Sequence, residues 1–317
     1  MTIKNRPLNS ASTASADRLD IYQHVTDTIV SALESGSAGK WVMPWHSVAQ
    51  EGHKGFAIMP SNVDGRGYRG INVWLLMSAK LAAGYTSDTW GTFKAWKAKG
   101  ASVRKGQHGT LIVFWKPIEI AELDAKGKPK VIPIAWGYNV FNADQVENYT
   151  PKAKPTVAPE LRIASAESFY TAVPAIVNHM GNRAFYNVNR DCVTLPPFAQ
   201  FKTPEDYYST RGHETVHWTG HATRMKREFG QRFGSDAYAI EELVAELGAA
   251  FLCAHLQISN EPRPDHAAYL ANWLSVLKSD KKAIFTAASQ AQKAVDFIIA
   301  KAEGQPAPAA DNMEFGK

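Results

Sequence analysis

The segment His213-Glu214-Thr215-Val216-His217 constrains this chain more than any other, because its spacing has a chemical meaning only on a helix. Histidines four residues apart on a helix project from one face, with about 6 Å between their Cβ atoms, so both rings can bind one metal ion. Glu214 would stand beside the open coordination position and take a proton from a bound water. The segment therefore predicts His213 and His217 as metal ligands, Glu214 as a general base and Zn²⁺ as the cofactor.

The flanking residues predict the helix that this spacing needs. Thr203 suits the N-cap position, Pro204 suits the first helical position, and Gly220 is a natural helix end. Two acidic residues follow Pro204, where carboxylates interact favourably with the helix dipole. We therefore predict a helix of roughly four turns that carries both histidines in its last two turns.

A third ligand must come from elsewhere, because catalytic zinc usually has three protein ligands and one water. A second helix is predicted from about residue 235 to 251, and it carries Glu241, Glu242 and Glu246. Glu242 and Glu246 share one face, and Glu241 lies a step around the helix. We favour Glu242 as the ligand, with Glu246 as the alternative and Glu241 as a weaker candidate. His221 follows the predicted helix end, and we interpret it as a structural or outer-sphere residue.

The segment from Glu242 to Glu246 resembles the E-x-x-x-D signature of gluzincin metallopeptidases, with Glu in place of the final Asp. In that family the first carboxylate binds zinc, and the second holds a ligand histidine through the ring N–H that faces away from the metal. The resemblance therefore implies that Glu242 completes the ligand set and that Glu246 orients a histidine.

The two halves of the chain differ in charge and in aromatic content. Residues 1–150 contain 17 Lys and Arg against 12 Asp and Glu, whereas residues 151–317 contain 18 of each. The first half also holds seven of the nine tryptophans. Aromatic rings stack on unpaired bases and basic side chains contact phosphates, so the first half is predicted to bind single-stranded DNA. No recognition-helix or zinc-finger pattern for duplex DNA is present.

The candidate DNA-binding residues interleave basic and aromatic side chains: Arg66, Tyr68, Arg69, Trp90, Lys94, Trp96, Lys97, Arg104 and Lys105. Tyr68 and Trp96 are the first choices for base stacking. The alternative interpretation is that the tryptophans form a hydrophobic core and that the basic residues are a solvated surface.

Several motifs in order along the chain resemble the ArdC-type antirestriction proteins. They are Trp41-Val-Met-Pro-Trp45, Gly65-Arg-Gly-Tyr-Arg-Gly-Ile-Asn72, Trp90-Gly-Thr-Phe93, Val103-Arg-Lys-Gly-Gln-His-Gly109, His213–His221 and Glu241–Glu246. The resemblance covers roughly residues 18 to 300. It implies an N-terminal single-stranded-DNA-binding domain and a C-terminal zincin-like domain similar to Spartan/SprT proteases. It also implies a plasmid or mobile-element protein that protects incoming DNA from host restriction.

Together these observations predict an α+β protein of two domains, a basic α+β DNA-binding domain and a mainly helical zincin-like metallopeptidase domain of gluzincin/SprT-like type. The predicted organisation along the chain is a flexible leader over 1–17, the DNA-binding domain over 18–147, a Pro-rich linker over 148–160, the metallopeptidase domain over 161–303 and a disordered tail over 304–317. Residues 161–180 are predicted to form one helix, kinked at Pro174.

Three functions stay open. The favoured one is an antirestriction protein that binds single-stranded DNA and hydrolyses peptide bonds with zinc-activated water. The alternatives are a DNA-shielding protein whose zinc site is structural or vestigial, and a metal-dependent nuclease. A protein substrate or a host restriction enzyme would be a further partner. The chain has two cysteines and no run of 18 apolar residues, so we expect a cytoplasmic location and no membrane partner.

Overall fold

The computed structural model describes most of the two predicted domains. The described residues are 20–36, 59–123, 127–150, 159–229, 236–258 and 266–306. The predicted leader lies outside these ranges, as do residues 151–158 of the predicted linker and residues 307–317 of the predicted tail. The Trp41–Trp45 motif also lies outside them.

Eight helices and nine strands make up this part of the chain. The helices are α1 (Ile21–Gly36), α2 (Ile71–Ala83), α3 (Phe93–Ala98), α4 (Pro159–Ala172), α5 (Pro204–Thr219), α6 (Asp236–Leu256), α7 (His266–Ser279) and α8 (Ala283–Ala302). The strands are β1 (Ser61–Asn62), β2 (Thr89–Gly91), β3 (Ser102–Val103), β4 (Thr110–Leu123), β5 (Pro129–Asn142), β6 (Val146–Glu147), β7 (Ile176–His179), β8 (Phe185–Asn187) and β9 (Cys192–Leu195). None of the described helices is long and apolar enough to span a bilayer.

The first domain is built around a long hairpin of β4 and β5. A four-stranded sheet has the order β1-β2-β5-β4, with β1 and β2 parallel and the other neighbours antiparallel. Helix α2 packs on β4, and the side-chain amide of Asn72 bonds both the N–H and the C=O of Val113, each at 2.7 Å. Because β4 is the edge strand, this amide pairs backbone groups that β5 cannot reach. Strands β3 and β6 form a separate antiparallel pair.

The second domain packs a small sheet against helices. Strand β9 is central, parallel to β7 and antiparallel to β8. Residues 161–180 do not form a single helix, so that prediction is wrong: α4 ends at Ala172, and Ile176–His179 form β7. Proline disfavours helical backbone at the residue before it and lacks an N–H, so Pro174 ends the helix instead of kinking it.

The two domains share one hydrophobic core. A single cluster of buried residues includes members of α1, α2 and β4 together with members of β9 and α4 to α8. Tyr22 of α1 packs edge-on against Phe285 of α8, with ring centroids 4.9 Å apart. The Thr26 hydroxyl donates to the carbonyl of Lys281 at 2.9 Å. Separating the domains would therefore expose apolar surface on both, and experiments on this protein are best done on the full chain.

Candidate metal centre

Helix α5 begins and ends where the sequence predicts. The Thr203 hydroxyl accepts a hydrogen bond from the backbone N–H of Asp206 at 3.1 Å, Pro204 is the first helical residue, and Gly220 is the C-cap. Every residue from Tyr207 to Thr219 is buried. The helix therefore carries His213, Glu214 and His217 through the interior of the domain, where their ring and carboxylate atoms are held by packing.

Three side chains of types that can bind a metal ion converge between α5 and α6. The Nε2 atoms of His213 and His217 are 3.1 Å apart, and each lies 3.5 Å from a carboxylate oxygen of Glu242. Donor atoms bound to a tetrahedral zinc ion at about 2.0–2.1 Å lie about 3.3 Å from one another. The three donor groups therefore have the separation that a single small divalent ion requires, and the residues present fit a metal.

Each histidine has a second carboxylate on its other ring nitrogen. The Nδ1 atom of His213 lies 3.0 Å from Oε1 of Glu246, and the Nδ1 atom of His217 lies 3.0 Å from Oε1 of Glu241. Such partners fix the tautomer and the orientation of a ligand histidine. Glu246 occupies the position that the gluzincin resemblance implies. The partner of His217 is new: at the sequence level Glu241 is only a weaker candidate for direct metal binding.

Glu241 is itself held by a buried arginine. Arg227, in the segment that follows α5, bonds both carboxylate oxygens of Glu241, from Nε to Oε2 at 2.8 Å and from Nη2 to Oε1 at 2.9 Å. Only 6% of the Arg227 side chain and 4% of the Glu241 side chain are exposed. A two-point arginine–carboxylate pair is among the stronger polar contacts in proteins and holds the carboxylate in a defined plane.

The charges of this cluster keep its carboxylates ionised. Burial raises the pKa of Glu242, but the His217 and His213 rings beside it outweigh burial and lower the pKa to about 2. Burial also raises the pKa of Glu241, and the hydrogen bonds from Arg227 and His217 bring it below its ordinary value. At neutral pH both carboxylates are therefore ionised and can accept hydrogen bonds but not donate them. Binding a cation or accepting the N–H of a histidine ring requires this state.

Glu214 differs from the other acidic residues of the site. It is buried, on the helix turn between the two histidines. No hydrogen bond or ion pair joins its carboxylate to another residue in the described part of the chain. A carboxylate without a committed partner can accept a proton from water, so the arrangement suits a general base.

Glycines let α5 pack closely against α6 and against α4. A Cβ on Gly248 of α6 would lie 2.7 Å from Cγ2 of Val216, and a Cβ on Gly212 of α5 would lie 2.6 Å from the hydroxyl of Tyr170. A glycine inside a helix lowers stability by about 1 kcal/mol relative to alanine. Close packing beside His213 and His217 explains why glycine occupies both positions.

Two further residues of types that can bind metals, His221 and Cys253, lie outside the donor set. The Nδ1 atom of His221 is 2.8 Å from the hydroxyl of Thr223 and 4.0 Å from Asp191. The Cys253 thiol is fully buried, and burial raises its pKa to about 12. A protonated thiol is a poor metal ligand.

Trp90 and Trp96, both predicted to contact DNA, are core residues. Neither has exposed surface. Trp96 donates its indole N–H to the carbonyl of Phe141 at 3.0 Å, and Trp90 packs edge-on against Tyr85. A ring without accessible surface offers no face to a base, so the prediction is wrong for these two residues. The alternative interpretation of the tryptophans as core is correct here.

The predicted basic residues fall into two groups. All six are exposed, and four of them form no ion pair with another described residue: Arg66, Lys94, Lys97 and Lys105. The other two are engaged within the protein. Arg69 forms an ion pair with Asp296 of α8, and Arg104 donates to the backbone carbonyls of Val146 and Asp144. Phosphate binding by the second group would compete with these contacts.

Exposed aromatic rings in the first domain are ones that the sequence did not single out. Phe93, at the start of α3, is 59% exposed and adjoins Lys94. Phe114 and Tyr138 lie on the β4–β5 hairpin with ring centroids 6.1 Å apart, and they are 39% and 47% exposed. Tyr68 is half-buried against the core. These rings, unlike Trp90 and Trp96, have accessible faces or edges.

Both halves of the chain match known domain families. Residues 19–141 match the N-terminal domain of anti-restriction factor ArdC, and residues 164–290 match a zincin-like metallopeptidase. Protein y4eC of Sinorhizobium fredii is 43% identical over 290 residues, covering 89% of this chain and 92% of y4eC. A DNA primase TraC of Escherichia coli is 35% identical over 296 residues, which are 88% of this chain and 20% of TraC.

Two solved structures have the same fold over nearly the whole chain. The metal-free crystal structure of antirestriction protein ArdC from plasmid R388 is 36% identical, with a TM-score of 0.74, and the match covers 91% of this chain and 100% of that one. The Mn(II)-bound structure is 37% identical, with a TM-score of 0.71 and coverage of 90% and 98%. The chain therefore belongs to the ArdC antirestriction family and has an ArdC-type N-terminal domain followed by a zincin-like metallopeptidase domain.

Proposed function

We propose that this protein binds single-stranded DNA in the cytoplasm and protects incoming mobile-element DNA from host restriction, with the help of a metallopeptidase site. The observation that carries the catalytic part is the convergence of His213, His217 and Glu242, with ring nitrogens 3.1 Å apart and carboxylate oxygens at 3.5 Å. We propose Zn²⁺ as the ion. The Mn(II)-bound ArdC structure makes Mn²⁺ the second ion to test.

The proposed reaction is hydrolysis of a peptide bond. A divalent ion on the three ligands would polarise the scissile carbonyl and acidify a water molecule. Glu214 has no competing partner among the described residues, and it accepts the proton of that water and delivers it to the leaving amine. Glu246 orients His213 through the ring nitrogen that faces away from the metal site, with Oε1 3.0 Å from Nδ1. A host restriction enzyme is the proposed class of protein substrate.

Restriction of incoming DNA tests whether hydrolysis is part of the function. A plasmid with unmodified recognition sites is conjugated into a restricting host that expresses wild type, Glu214→Gln or the double variant His213→Ala/His217→Ala at equal protein levels. We expect wild type to raise plasmid recovery and both variants to lose this effect. Full protection by Glu214→Gln would remove hydrolysis from the proposal and leave a DNA-shielding protein.

The DNA-binding surface that we propose centres on α3. Phe93 is 59% exposed, and Lys94 and Lys97 beside it are exposed, with no ion pair to another described residue. The buried ring of Trp96 anchors the same helix through its bond to Phe141. An exposed aromatic ring beside unpaired cations on one anchored helix suits one base and its flanking phosphates. Phe114 and Tyr138 on the hairpin offer further rings.

Binding of single-stranded oligonucleotides over a range of salt concentrations tests this surface. Lys94→Gln and Lys97→Gln should each reduce the slope of log K against log salt by about 0.7. Phe93→Ala should weaken binding by about 1–3 kcal/mol and leave the slope unchanged. Lys202→Gln, which changes an exposed lysine of the second domain, is the matched control. Equal losses in Lys94→Gln and Lys202→Gln, or preference for duplex DNA, would exclude α3 as a single-strand site.

A further inference from the structure

Arg227 links the end of helix α5 to helix α6. Besides its two bonds to Glu241, its Nη2 donates to the carbonyl of Val216 at 2.7 Å and its Nη1 donates to the hydroxyl of Thr219 at 2.8 Å. Val216 and Thr219 flank His217 on α5, whereas Glu241 lies on α6. One buried guanidinium therefore sets the position of a carboxylate on one helix relative to the backbone around a histidine on the other.

The carboxylate held in this way is the one that faces His217. Oε1 of Glu241 lies 2.9 Å from Nη2 of Arg227 and 3.0 Å from Nδ1 of His217, while Oε2 is 2.8 Å from Nε of Arg227. Both oxygens are engaged, so the carboxylate cannot rotate without breaking a contact to Arg227. An ionised carboxylate only accepts hydrogen bonds, and the proton of a neutral His217 ring is therefore held on Nδ1.

The tautomer decides what His217 can bind. With the proton on Nδ1, the lone pair of Nε2 points to the space shared with His213 and Glu242, where Nε2 is 3.1 Å and 3.5 Å from their donor atoms. With the proton on Nε2, the same ring could not bind a cation there. Capping the end of α5 would require only the bonds to Val216 and Thr219, so the bidentate bond to Glu241 needs another explanation.

We propose that Arg227 and Glu241 form a positioning pair that sets the tautomer and ring orientation of His217 and thereby the metal affinity of the site. This inference rests on the proposed function, in which His217 is a metal ligand. It makes the segment that follows α5 part of the metal site, although the segment supplies no ligand. Glu241 and Arg227 are positioning residues, because neither touches the ion or the substrate.

The test compares metal affinity among full-length variants, measured for Zn²⁺ and for Mn²⁺ by competition with a chromophoric chelator. We expect Glu241→Gln to weaken binding by about 10- to 100-fold and Arg227→Lys by about 10-fold. Arg224→Lys is the matched control: Arg224 also bonds the end of α5, through the carbonyl of Trp218 at 2.7 Å, but its carboxylate partner is Asp191 and not Glu241. It should change the affinity by less than about threefold.

NMR of the histidine rings in ¹⁵N-labelled, metal-free protein measures which ring nitrogen of His217 carries the proton. If Arg227 and Glu241 only stabilised the fold, their substitution would not change this tautomer. His217 should carry its proton on Nδ1 in wild type and shift towards Nε2 in Glu241→Gln, because the glutamine amide can present an N–H to Nδ1. Thermal unfolding of the metal-free forms should show similar midpoints for Arg227→Lys and Arg224→Lys.

The outcomes separate this inference from the proposed function. Wild-type affinity and tautomer in Glu241→Gln and Arg227→Lys, with metal lost in His213→Ala/His217→Ala, would overturn the positioning pair and leave the metal site standing. Equal weakening in Arg227→Lys and Arg224→Lys would also overturn it. Wild-type metal binding by the double histidine variant would instead overturn the proposed metal site itself.

Discussion

The interface of α5 with α6 and the surface around α3 use polar and aromatic residues in opposite ways. Between α5 and α6 the charged residues are buried, and Glu241, Glu242 and Glu246 each face a histidine at 3.0–3.5 Å. Around α3 the basic residues Lys94 and Lys97 are exposed, and the large ring of Trp96 is buried. Burying a charge costs free energy that partner residues offset, so most charges of a buried site are paired with residues at fixed spacings, which a short motif can reveal. An exposed charge has no such requirement, and composition alone locates a surface poorly.

The largest expected effect is loss of the metal. Wild type should contain about one divalent ion per chain, because donor atoms of three residues of metal-binding types lie within 4.8 Å of one another. The double variant His213→Ala/His217→Ala should contain none by elemental analysis. Glu242→Ala should weaken binding more than Glu246→Ala, which removes only a partner of His213. Stoichiometric metal in the double variant would show that the buried cluster between α5 and α6 is not the metal site, and the comparison with the α3 surface would no longer hold.

Trp96→Ala against Phe93→Ala sharpens the comparison within α3. Truncation of a fully buried tryptophan costs about 3–5 kcal/mol, so Trp96→Ala should lower the unfolding midpoint strongly and reduce DNA binding only through unfolding. Phe93→Ala should leave the midpoint nearly unchanged and weaken DNA binding. Calorimetry and DNA titration on both variants measure this. An unchanged midpoint in Trp96→Ala would contradict its place in the core.

Gly248→Ala tests the close approach of α5 and α6. The new Cβ would overlap the Val216 side chain at 2.7 Å, and overpacking a core typically costs about 1–3 kcal/mol. Val216→Ala removes the overlapping methyl groups, so Gly248→Ala made in that background should cost much less, or stabilise through its higher helix propensity. Chemical unfolding of the four proteins completes the cycle. A Gly248→Ala cost that is the same in both backgrounds would show that contact with Val216 is not its cause.

The smallest expected effect concerns Asp191, at the edge of the second domain. The hydrogen bond from Arg224 lowers the pKa of this carboxyl to about 2. A carboxyl whose pKa is lowered by folding stabilises the fold above its ordinary pKa, near 3.8, and this contribution is lost as pH falls towards 2. Because the side chain is 36% exposed, we expect Asp191→Asn to cost about 1 kcal/mol or less at pH 7.

The pH dependence of the stability lost in Asp191→Asn shows whether the loss comes from the missing charge or from backbone strain. Asp191 has a positive φ of 48°, which asparagine tolerates well, so the substitution changes mainly the charge. The difference in unfolding midpoint between wild type and Asp191→Asn should be constant from pH 7 to about 5 and should close between about pH 4 and 2. A difference that persists at pH 2 would point to backbone strain instead of charge.

Local sequence signals were sufficient for the parts of the protein whose geometry is set within one helix. The Thr203 cap, Pro204 and Gly220 bound α5, and the four-residue spacing of His213 and His217 places both rings on one face. Periodicity on α6 was enough to favour Glu242, which does lie with the two histidines. In each case residues a few positions apart on a regular backbone have a fixed relation, whatever surrounds them.

Only the tertiary structure decided which side chains meet and which are exposed. Glu241 faces His217, and Arg227 reaches both oxygens of Glu241, because α6 and the segment after α5 fold against the same helix end. Trp96 is buried and Phe93 is exposed on one six-residue helix, although both residues are large and aromatic. Hydrophobic burial is not directional, so the residue that becomes core is chosen by the packing of distant elements, which a local pattern does not contain.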